Sequence, residues 1–150
     1  MIREILIYPK DKDILTQKSE PVENVEDVKD LIQDLKDTLD NTKHGVGISA
    51  VQVGELKQVC VIKPEDGKHI IMINPRITKK EGVCIYKEGC LSAPEIYTNV
   101  QRARKVSVEY INENGEKVRT TRGGLTGIII QHECAHFNGW CEVFDAIKEE

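Results

Sequence analysis

The segment "GLTGIIIQHECAHFNGW", residues 124–140, restricts the fold of this chain more than any other. Read as a helix, it is apolar enough to run through a core rather than lie on a surface. It nevertheless carries His132, Glu133 and His136. Residues i and i+4 of a helix stand one above the other, so the two imidazoles aim at a single point. Glu133 lies one residue round, too far offset to join them but close enough to reach a water at that point. A His-Glu-x-x-His pattern on an exposed helix can arise by chance. Here the flanking "GIII", Phe137 and Trp140 argue for burial, and buried imidazole and carboxylate groups need partners. A metal ion satisfies all three at once.

The rest of the chain reads as an α+β fold in one domain over residues 1–150. "YPKDKDILTQKSEPVE" is polar with two prolines and reads as an N-terminal arm laid over the surface. Val25, Val28, Leu31, Ile32, Leu35 and Leu39 recur at three- and four-residue steps, one face of an amphipathic helix. Asn24 is its expected N-cap, Asp27 stands at the capping-box distance, and Gly45 is its expected stop. Five short segments follow, "KQVCVIK", "HIIMIN", "GVCIYK", "KVSVEYI" and "EKVRTT", rich in β-formers and separated by turn signals. Asn114-Gly115 between the last two predicts a hairpin. The order is helix, antiparallel strands packed around a central metal-binding helix, and that helix last.

Composition narrows the partners. A net charge of −4 with no basic tail argues against nucleic acid as the main ligand. No apolar run is long enough to cross a bilayer, and the charged N-terminus lacks the apolar core of a secretory signal. Five cysteines form an odd set with no Cys-x-x-Cys pair, which fits a reducing cytoplasm, and each alone reads as a small buried apolar side chain.

Two readings stand for a third metal ligand. One is downstream: Gly139 lies where metzincin-type proteases turn their chain, and Glu142 falls where their third ligand would sit. That makes a small HExxH metallopeptidase. The other is upstream, Cys90 in "KEGCLSAPE". Against the first, the only methionines are Met1 and Met72, so no Met-turn follows the helix.

Three stretches in order, "GVGISAVQ" (45–52), "EGCLS" (88–92) and "QHECAH" (131–136), resemble the signature motifs of peptide deformylases. "IREI…YP" with "SEPV" near the start, and "VQRARKVSVEYINENGEKV", extend the resemblance over nearly the whole chain. It implies one divalent metal ion held by Cys90, His132 and His136, Fe2+ by family habit with Zn2+ or Ni2+ as substitutes. It implies hydrolysis of the formyl group from formyl-methionyl nascent polypeptides, releasing formate. Glu133 would act as the base, with the Gln52 side chain and the Leu91 backbone N–H stabilising the oxyanion. Substrate would meet Gly45, Val46, Gly47, Tyr86, Leu125 and Ile128, the glycines letting its backbone lie alongside as an added strand. Transient association with the ribosome in the cytoplasm is also implied, although "EVFDAIKEE" is short for the family's docking helix. The sequence departs from the family at Ala135, where aspartate is usual, and at His44, where an acidic residue is common. Arg102 matches a family arginine. The departures keep open a deformylase-like protein with weak or lost activity.

Overall fold

The computed structural model describes residues 1–64 and 66–148, and within them seven strands and three α-helices form. Strands β1 (Gly47–Ser49), β2 (Val59–Ile62), β3 (Ile70–Glu81), β6 (Lys105–Ile111) and β7 (Lys117–Gly123) make one antiparallel sheet in the order β1-β2-β3-β6-β7. Strands β4 (Cys84–Cys90) and β5 (Ala93–Arg102) pair separately as a hairpin. Helices α1 (Lys12–Leu15), α2 (Lys29–Asp40) and α3 (Gly124–His136) complete the α+β fold as a single domain.

Each of the five expected strand segments is found. Two further strands, β1 and β5, lie where no strand was expected. β1 is only three residues long, too short for alternation to register. β5 contains Pro94 and has Glu95 at φ +64°, features that read as loop. The β6–β7 hairpin turns where Asn114-Gly115 predicts, with Gly115 at φ +83°. Asn112 closes it by accepting from the N–H groups of Asn114 and Glu116.

The N-terminal half of the expected helix tightens into a 3-10 turn, Val25–Val28, before α2 begins. Asn24 does cap it, its side chain accepting from Glu26 N–H while Asp27 N–H goes to the Asn24 backbone carbonyl. α2 ends at Asp40, well before Gly45, and Gly45 does not adopt a left-handed φ. Thr42 bends the chain instead: its hydroxyl donates to Leu39 O and accepts from Gly45 N–H. The N-terminal arm is more than a surface covering. Tyr8 and Leu15 are buried with Ala93, Cys141, Val143 and Phe144, and Tyr8 stacks on Phe144 at 4.4 Å between ring centroids. Glu65 of the "PEDGK" turn and the last two residues of "EVFDAIKEE" lie outside the described residues.

α3 runs through the middle, and its residues 127 to 133 are all buried. It packs on the sheet through Ile129 and Ile130. Gln131, although polar, is fully satisfied. Its Oε1 accepts from Ala103 N–H, and its Nε2 donates to the carbonyls of Ala103 and Gly127. That amide clamps the helix to the segment joining β5 and β6, which fixes the height at which the two histidines stand.

Candidate metal centre

Both histidines are buried, and their rings lie 5.2 Å apart between centroids. Cys90, at the end of β4, brings its Sγ to 3.4 Å from His136 Nε2. Sequence spacing gave two readings of the third ligand, and the fold separates them. Glu142 is not among the clustered donors and accepts from the Arg102 guanidinium at 3.2 and 3.4 Å. The peptidase arrangement with Glu142 as ligand is therefore absent. A fourth group stands with the three: Cys90, His132, His136 and Cys141 offer ligand atoms that all lie within 4.8 Å of one another. Sequence reading left Cys141 as an apolar core residue, since no Cys-x-x-Cys spacing marked it.

The donor chemistry fits a divalent transition metal. His132 Nδ1 is 2.8 Å from Glu88 Oε1, which leaves Nε2 turned to the other donors. A carboxylate behind a ligating histidine fixes ring orientation and raises basicity. Glu88 is itself held by Arg102 through a two-point contact of 2.7 and 2.8 Å, both side chains being buried. Burial pushes the Glu88 carboxyl up, but the hydrogen bonds from Arg102 and His132 outweigh it and hold it below its ordinary value. Burial likewise opposes charge on His132, yet Cys141 and then Glu88 raise its pKa above the usual imidazole range. His136 Nδ1 is buried with no hydrogen-bond partner among the described residues. Glu88→Gln is expected to weaken metal affinity by about 10- to 100-fold, read by chelator competition.

Glu133 is buried beside the donors and is not one of them. Ser49 Oγ lies 2.9 Å from Glu133 Oε1 and 3.0 Å from its backbone carbonyl. Gly47, two residues earlier on the same face of β1, makes room for the carboxylate. A Cβ there would stand 2.7 Å from Glu133 Oε2 and 2.9 Å from Ile129 Cγ2. The missing side chain at Gly47 thus leaves the space that the Glu133 carboxylate fills. Ser49 was missed in the sequence; its period-two relation to Gly47 was the available signal. Ser49→Ala should lower kcat by about 10-fold or more with metal content unchanged, since hydrogen bonds to charged groups contribute about 1.5–3 kcal/mol.

Gln52 is buried, and its Oε1 accepts from Ser49 N–H at 2.9 Å. That contact settles the amide orientation, with Nε2 3.1 Å from Ser92 Oγ and 3.6 Å from Cys90 Sγ. A cleft of about 420 Å³ opens beside these groups. Gly45, Val46, Gly47, Tyr86, Leu91, Leu125 and Ile128 all line it, as do Cys90, His132 and Glu133. Exposed His44 lies at its rim, while Ala135 and Cys134 take no part in the donor cluster. Burial pushes the Cys134 thiol up to about 12, consistent with an inert core cysteine.

The polypeptide deformylase family model matches residues 2–150. "Peptide deformylase 2" of Clostridium acetobutylicum is 46% identical over 129 residues, covering 85% of this chain and 85% of that protein. The peptide deformylase of Aquifex aeolicus is 41% identical over 145 residues, covering 93% of this chain and 84% of the relative. The crystal structure of peptide deformylase from Thermotoga maritima superposes with a TM-score of 0.89 at 30% identity, covering 99% of each chain. On these matches of sequence and fold, the chain belongs to the polypeptide deformylase family.

Proposed function

We propose that Cys90, His132 and His136 hold one divalent metal ion, and that the chain uses it to hydrolyse the formyl group from formyl-methionyl polypeptides. The observation that carries this reading is the convergence of half-buried Cys90 with the buried His132 and His136 in one cluster, with Glu133 beside them in the cleft. When bound, the ion supplies Lewis acidity, lowering the pKa of water from about 15.7 towards about 7. Glu133, held by Ser49, accepts the proton of the attacking water and returns it to the departing amine. Gln52 Nε2 and the Leu91 backbone N–H donate to the developing oxyanion.

β1 is an edge strand, so a substrate backbone adds beside Gly45, Val46 and Gly47 as a further strand. The methionine side chain then points to Tyr86, Leu125 and Ile128 in the apolar part of the cleft. Fe2+ is the proposed ion, with Zn2+ and Ni2+ accepted by the same cysteine and histidine donors. Residues 1–150 act as one metallohydrolase domain. The proposed compartment is the cytoplasm, where five free thiols stay reduced. Ribosome association is transient, set by the nascent-chain substrate.

The test is a formyl-Met tripeptide incubated with the anaerobically prepared iron protein. Formate and free N-terminal amine should appear in equal amounts, with the peptide bonds intact. Peptide cleavage without formate would replace this reading with a peptidase.

A further inference from the structure

Cys141 is fully buried and has no part in the reaction described above. It reaches the centre because the chain turns back at Gly139, which sits at φ +88°. A Cβ at Gly139 would lie 2.5 Å from the Thr16 carbonyl oxygen, so the turn is fixed by packing as well as by backbone conformation. Cys141 Sγ then stands 3.8 Å from His132 Nε2, matching the 3.4 Å between Cys90 Sγ and His136 Nε2.

Those separations are informative. With metal–sulfur bonds of about 2.3 Å and metal–nitrogen bonds of about 2.0–2.1 Å, neighbouring donors of a tetrahedral centre stand about 3.3–3.8 Å apart. An ordinary core cysteine packs against apolar groups. Cys141 does touch such a cluster, with Leu15 and Phe144, but its sulfur is directed at a ligating ring nitrogen. It does not line the cleft, so it meets the other donors from the core side.

We propose that Cys141 is a fourth protein donor to the ion, making a Cys2His2 centre in the resting enzyme. This rests on the three-donor reading above. Three protein ligands leave a position for reaction, whereas four make a closed centre of the structural kind. Cys141 therefore competes with the cleft-side position and restrains hydrolysis. Two thiolates also shift the preference towards softer-bound ions such as zinc.

Loading the full chain with Co2+ and counting metal–sulfur bonds by X-ray absorption tests this without reference to activity. Two sulfurs are expected in the wild type and one in Cys141→Val, with the near-ultraviolet thiolate-to-cobalt band halved. Zinc affinity, measured by chelator competition, should fall by about 10-fold or more in the variant. One sulfur in the wild type overturns the fourth-donor proposal and leaves the three-donor site standing. Failure of the wild type to bind one cobalt per chain sinks both. Should Cys141→Val not fold, the wild-type sulfur count decides alone.

Discussion

Replacing Cys90 with alanine should weaken metal binding by about 100-fold or more, a larger loss than removing a group behind a ligand produces. Cys90 reaches the cluster from the end of β4, whereas His132 and His136 come from α3 and Cys141 from the turn after it. Its Sγ completes the cluster against His136 Nε2. Without it, His132 and His136 keep only Cys141 beside them on the core side, and the site loses the thiolate that lines the cleft. The substitution removes one sulfur from a half-buried hairpin end, so the fold should persist with unchanged far-ultraviolet circular dichroism. Metal content after gel filtration is the readout. Full retention of one ion per chain in Cys90→Ala would exclude Cys90 as a ligand.

The second large effect is expected at Glu133. Glu133→Gln should reduce kcat by about 10²- to 10⁴-fold while the ion stays bound, because general base catalysis is lost and the ligands are untouched. Glutamine keeps the shape of the side chain, so it still fits the space that Gly47 leaves and can still meet Ser49 Oγ. What it lacks is the capacity to take a proton from water. Kinetics and metal analysis on the same preparation separate this from trivial metal loss. A variant with one ion per chain and undiminished turnover would remove Glu133 from the mechanism.

The central helix was legible because its chemistry is contiguous: His132, Glu133 and His136 stand at helical spacing within five residues. Cys90 was not derivable from spacing, since it is 42 residues before His132, and Glu142 stayed open as the disfavoured alternative until the motif resemblance was applied. Only the fold shows Glu142 committed to Arg102. The groups that orient the site left weaker marks. Ser49, Glu88 and Arg102 act through side-chain contacts between distant segments, and composition carries no trace of such pairings. Cys141 was hidden for a similar reason, because it depends on a turn at Gly139 whose direction is set by Thr16. The error at the end of α2 came from giving Gly45 the work that Thr42 performs. The missed strand β5 reflects a hairpin with exposed residues and a proline, where burial patterns are weak.

Titration of metal-stripped protein with Fe2+ under nitrogen, followed by formate release from a formyl-Met tripeptide, tests the central claim most directly. Activity should rise linearly to one equivalent per chain and vanish on chelation. The same titration of Glu133→Gln should show equal binding with little formate. Formate release by the stripped protein that neither Fe2+ nor a chelator alters would contradict a metal-dependent deformylase built on Cys90, His132 and His136.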